Sequence, residues 1–236
     1  MCWSGEASAA LATVGIVSTA YAAYKKEPPE IYLPLAYFSL MEMLQAYTYT
    51  VINHCGLVGN QVATLLGYLH IAFQPFFINM MGMYFIPPKV REKIQAGVYT
   101  LCFVFAILML IRLYPLPSVP MCRVGTLLCG TPLCSVSGNW HIAWNVPYNN
   151  LFGNAPLYAL IGLVLPIIYG SWRASIYSFV AGPILAYLLT NNPNEQPAVW
   201  CLLSIGLLLV VVKTRVRDML HVEWWPLWPK SWYRNT

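Results

Sequence analysis

Charge is too scarce along this chain to cover a globule that faces water on all sides. Only 9% of its 236 residues are charged and 58% are hydrophobic, whereas a soluble domain carries about 25% charged residues. The apolar residues gather into runs of the length a bilayer demands, roughly 20 residues for a helix. Mean hydropathy is +0.58. These facts point to one class, an all-α integral membrane bundle, multi-pass, in a cytoplasmic or plasma membrane. The opening MCWSGEASAALATVGIVSTAYAAYKK places its lysines after the apolar run, so it reads as a first membrane helix and not as a removed leader.

Breaker-rich stretches, KKEPPE, NHCGLVGN, PPKVREK, LYPLPSVP and NNPNEQP, divide the apolar runs. The division predicts seven helices over 3–24, 31–53, 60–86, 94–114, 151–172, 174–190 and 197–212. A transmembrane domain then covers 1–217, with an outer loop at 115–150 and a Trp-rich tail at 218–236. Eleven of the thirteen Lys and Arg residues fall on one side of this plan, and Arg112 and Arg123 alone on the other. Cytoplasmic loops favour Lys and Arg, so the N-terminus is expected outside and the C-terminus in the cytoplasm. The net charge of +5 is therefore a topology signal, and nucleic acid is not an expected partner, because no basic cluster interleaves with exposed aromatics. Trp224, Trp225, Trp228 and Trp232, beside Lys230 and Arg234, predict a tail anchored at the inner interface. A dock for another membrane subunit is the competing reading.

Cys102 and Cys201 fall inside predicted helices, while Cys2, Cys55, Cys122, Cys129 and Cys134 map to the outer side, where oxidation is allowed. Cys129–Cys134 is the simplest bond to close, although spacing alone does not fix pairing. After it, Trp140, Trp144 and Tyr148 recur at helical spacing with His141 and Asn145, which predicts an interfacial or re-entrant half-helix.

Residues 67–83, GYLHIAFQPFFINMMGM, interrupt an apolar helix with His70, Gln74, Pro75 and Asn79. The preceding helix carries Glu42, with Gln45 and Tyr49 on the same face at i+3 and i+7. Intramembrane ionisable groups turn inward and find partners. Glu42 and His70 are expected at matching depth on antiparallel neighbours, so they predict an outward-facing polar pocket. Gln74, Gln45 and Tyr49 would line it, with Glu6 and Asn60 nearer its mouth. A purely structural hydrogen-bond network is the competing reading. A metal site would take His70 and Glu42, completed by His141, Cys2 or Glu6, and would hold zinc, iron or copper. Met80, Met81 and Met83 offer soft sulfur to copper, and adaptable packing otherwise.

The segments MCWSGEAS, FSLMEMLQAYTY and NQVATLLGYLHIAFQPFFIN resemble a family of small bacterial and algal membrane proteins without a known activity. In plan the chain is also similar, distantly, to the ceramidase-type hydrolases, which hold zinc on three histidines. That triad has no counterpart here, since only His70 lies within a predicted helix and the one aspartate, Asp218, lies on the inner side. A retinal protein would need a lysine midway along the last helix, where Lys213 is terminal.

Three functions remain. The pocket binds or translocates a small solute, an ion or proton, or a lipid head group. Alternatively, the chain is a membrane-embedded metal enzyme acting on lipid, or an accessory subunit of a larger complex or homo-oligomer. No phosphate-cradling glycine loop or Ser-His-Asp order appears in the sequence.

Overall fold

Proline marks several of the helix starts. Pro29, Pro88 and Pro197 sit in first turns, where a missing N–H leaves no bond unmade. The computed structural model describes residues 3–152 and 157–233. Its long helices are α1 (Gly5–Tyr24), α2 (Pro29–Val51), α3 (Val58–Tyr84) and α4 (Pro88–Ile111). After an extended loop come α5 (Leu157–Ile168), α6 (172–189) and α7 (Gln196–Lys213). The protein is mostly helical, and α1, α3, α4 and α7 are long and apolar enough to cross a membrane. It is a membrane protein by that measure. α2 has the length but is more polar, because it carries Glu30, Glu42 and Gln45.

α1 packs closely along α2. A methyl group added at Gly15 would stand 2.0 Å from Ser39 Oγ, so only a glycine lets the two backbones approach this closely. α5 and α6 each contain one π-helical stretch, Leu160–Val164 and Val180–Ile184. In α5 two carbonyls of that stretch are taken by neighbours. Asn79 Nδ2 of α3 donates to Ile161 O at 2.9 Å, and Ser175 Oγ of α6 donates to Leu163 O at 2.5 Å.

The loop between α4 and α5 departs from the expected re-entrant half-helix. It forms a hairpin of β1 (Cys134–Ser137) and β2 (Ile142–Asn145), paired antiparallel with Cys134 opposite Asn145 and Ser137 opposite Ile142. Trp144 therefore faces inward, its indole against Gly67 of α3. The disulfides differ as well. Cys129 bonds Cys122 and Cys134 bonds Cys55, so the expected Cys129–Cys134 bridge is corrected. Strand pairing sets Cys134 beside the α2–α3 connection, which carries Cys55. Cys2 lies outside the described residues.

The opposite end of the bundle gathers charge. Arg217 forms a two-pronged pair with Glu27 (2.7 and 3.1 Å), and Arg91 pairs with Glu30 at 2.7 Å. A short helix, α8 (Val216–Leu220), leads into the tail. Trp225 and Trp228 donate their indole N–H groups to the carbonyls of Ile168 and Tyr169, so part of the tail docks on the bundle.

The Cys55–Cys134 bond closes a loop between residues separated by 79 positions. Cys55→Ser should lower stability by about 2–4 kcal/mol, read from thermal unfolding in detergent. Non-reducing peptide mapping of the wild type should recover the 55–134 and 122–129 pairs.

Candidate functional site

The polar residues of 67–83 go to separate places. The imidazole of His70 stacks on the ring of Tyr37 (centroids 3.8 Å apart), which stacks in turn on Phe77. Tyr37 also donates its hydroxyl to the His70 carbonyl at 2.5 Å. Gln74 is 1% exposed, donates to Cys201 Sγ at 3.8 Å and lines a cavity of about 140 Å³ with Tyr158, Gln196 and Trp200. Asn79 brackets α3 to α5, bonding Pro75 O as well as Ile161 O. Met81 and Met83 are packed into two different apolar clusters.

Among the described residues, neither a hydrogen bond nor an ion pair joins Glu42 to His70. The reason is helical phase. Tyr37, which meets His70, and Glu42 are five residues apart on α2, about 140° around the axis at roughly 100° per residue. Glu42 instead faces Ser8 of α1 and Cys201 of α7. It is fully buried, and neither carboxyl oxygen is within full hydrogen-bond geometry of a partner, the Ser8 hydroxyl beside it being the one group placed to donate among the described residues. One turn nearer the hairpin, Gln45 is also fully buried, with both amide atoms unpartnered.

The next residue on that face, Tyr49, reaches the hairpin. Its hydroxyl lies 2.6 Å from His141 Nδ1, and His141 Nε2 is buried without a partner. Trp3 closes the side, stacked on Trp140 and donating to Ser8 Oγ at 2.8 Å. Glu42, Gln45 and His141 thus present five buried, unpartnered N and O atoms along one line of structure between α1, α2, α7 and the hairpin turn. Buried polar atoms in a folded protein nearly always have partners, so five in series call for a physical reason.

His141 is held in place by Glu195, at the start of α7. The fully buried Glu195 carboxylate accepts the backbone N–H groups of Asn139 (3.1 Å), Trp140 (2.5 Å) and His141, and the Thr190 hydroxyl (2.5 Å). Next to it, Asn194 donates to Cys129 O and Asn145 Oδ1. The α6–α7 connection therefore clamps the hairpin turn over Glu42.

Of the other expected residues, Glu6 is exposed in the first turn of α1, outside the cluster. Asn60 is fully buried and spent on structure, since its side chain bonds both Ser135 N and Ser135 O and also Val51 O. The metal set of His70, Glu42 and His141 is not assembled, and no three His, Cys, Asp or Glu side chains converge among the described residues. Ser8, Trp3 and Glu195 went unread in the sequence. Glu195 stood in a breaker-rich stretch with the look of a solvated loop.

A family model described as a family of unknown function (DUF5765) matches residues 6–221. The chain belongs to that family. The match covers every element of the polar cluster except Trp3. No curated protein and no solved structure matches the chain, so the likeness in plan to ceramidase-type hydrolases gains no support.

Burial pushes the His141 imidazole down to about 3, against about 6.5 in an unfolded chain. Above about 6.5 both states are neutral at this position and the full stability is present. Below it only the unfolded chain takes the proton, so stability should fall by up to about 1.4 kcal/mol per pH unit until the pH nears the folded value. His141→Gln should flatten that acid limb in detergent unfolding curves. Glu195→Ala, which strands three backbone N–H groups, should lower stability by about 3 kcal/mol or more.

Proposed function

We propose that this is a seven-span membrane protein with its hairpin end outside, and that it binds or passes a small cation or proton at Glu42. Two disulfides on the hairpin end suit an oxidising compartment. Lys25, Lys26, Lys89, Arg91, Lys93, Arg173 and Lys213, around the other end, suit the cytoplasmic face. α5, twelve residues long as described and about 18 Å by helical rise, is the shortest crossing in this arrangement.

The observation that carries the reading is the Glu42 carboxyl, buried at mid-helix with only the Ser8 hydroxyl beside it as a donor and with no Lys or Arg paired to it among the described residues. A carboxyl so placed keeps its proton or takes up a cation. Gln45 extends the acceptor set one turn outward, and His141 with Tyr49 ends it beneath the hairpin. A ligand arriving from outside would meet the hairpin turn first, then His141, then Gln45, then Glu42.

Thermal unfolding of the purified protein tests this with ammonium, methylammonium, sodium and potassium chlorides at fixed ionic strength, and across pH. At a hundredfold excess over Kd, a bound cation stabilises by about 2.7 kcal/mol. At least one cation, or the proton, should raise the melting temperature of the wild type and leave Glu42→Gln unchanged. Identical responses from the two proteins under all these conditions would remove the proposal.

A further inference from the structure

A second pocket lies at the opposite end of the bundle from Glu42. It measures about 670 Å³, is open on one side, and is walled by Trp172 and Arg173 at the start of α6, Asp218 of α8, and His221, Glu223, Trp224 and Trp225 of the tail. Small-molecule sites run to roughly 300–1,000 Å³.

Its walls carry both signs of charge, and the positive one is anchored. Arg173 Nη1 donates to the carbonyls of Met219 (3.2 Å) and His221 (3.0 Å), and the guanidinium lies over the Trp172 ring. Its remaining N–H groups have no partner among the described residues. Asp218 and Glu223 enter no ion pair among those residues, since the nearest arginine in sequence, Arg217, is committed to Glu27 and Tyr84. His221 adds no positive charge at neutral pH, because burial and then the Arg217 charge hold its imidazole below the ordinary range. One anchored guanidinium, two unpaired carboxylates and three indoles match an anionic phosphate joined to an ammonium. The phosphate fits the guanidinium fork, and the ammonium fits carboxylate and indole faces.

We infer that this pocket binds a zwitterionic phosphate–ammonium head group, and that its source is a membrane phospholipid. Trp224 (58% exposed) and Leu227 (66%) give apolar surface beside the pocket, against which a glycerol backbone and acyl chain can lie. A free head group in solution would gain nothing from that surface. The lipid source rests on the membrane embedding proposed above but not on the Glu42 site.

Native mass spectrometry of delipidated protein in detergent tests the inference. The probes are phosphatidylethanolamine, phosphatidylcholine and phosphatidylglycerol with identical acyl chains, and free phosphoethanolamine. Either zwitterionic lipid should be retained about fivefold over phosphatidylglycerol, the scale of one cation–π contact. Asp218→Asn combined with Glu223→Gln should erase that preference, whereas Glu42→Gln should keep it; melting curves confirm that each variant is folded. Equal or stronger retention of phosphatidylglycerol by the wild type, or a preference that survives in the folded double variant, would overturn the head-group assignment. Free phosphoethanolamine binding as tightly as the intact lipid would overturn the lipid source.

Discussion

Hydrocarbon offers no hydrogen bonds, so every polar group set into an apolar bundle must find its partner within the chain or take one from a ligand. Most of this structure can be understood as compliance with that constraint. Asn60 satisfies both backbone groups of Ser135, Asn79 covers a carbonyl that the π stretch of α5 presents, and Ser175 covers another. Asn149 does the same at the end of α4, donating to the carbonyls of Ile111 and Tyr114. Each of these side chains is spent on architecture. Single unbonded atoms remain on His70, Asn79, Tyr158, Ser171 and Asn194, whereas Glu42 and Gln45 each leave two, on the face of α2 that leads to the unbonded Nε2 of His141.

The hairpin follows from the same constraint. A loop of this length laid over a helix bundle carries many backbone groups, and a two-stranded pairing satisfies some of them at once. Others are met by side chains from two connections: Asn53 and Asn60 near the α2–α3 turn, and Asn194 and Glu195 before α7. The Cys55–Cys134 bond fixes one edge covalently. The result is a cap cross-linked to the bundle, and the cross-links matter because His141 owes its position to the cap and not to any helix.

The helices were legible because their signal is one-dimensional. Apolar run length and Pro and Gly punctuation survive projection onto a line, and five of the helical segments begin and end within two residues of those expected, whereas α4 starts six residues earlier, at Pro88, and α5 is described only over Leu157–Ile168 against the expected 151–172. The hairpin was not legible for a specific reason. Trp140, Trp144 and Tyr148 repeat at fours, a spacing that fits a helix face and equally one face of an extended strand, since four is also an even number. Cysteine pairing was hidden because it depends on which connection the hairpin touches. Glu195 was hidden because a carboxylate that receives three backbone N–H groups looks, in sequence, like any acid in a loop.

The pairing of Glu42 with His70 failed on rotation, and the failure explains how α2 is used. Depth along a helix can be counted from sequence, but azimuth also needs the identity of the neighbouring helix. α2 touches α1, α3 and α7 and divides its surface among them. Tyr37 and Met41 turn to α3, where they meet His70 and the cluster around Tyr68 and Ile71. Glu42, Gln45 and Tyr49 turn to the other side, where Ser8, Cys201 and His141 wait. One stripe therefore holds the bundle together through stacked rings and apolar contact, and the other is kept polar and unfinished. A helix given only to packing would have no reason to keep the second stripe, because leucine in place of Glu42 and Gln45 would spare the burial of four unpartnered polar atoms. The buried acid and amide at that face are the physical argument for the ligand proposed at Glu42.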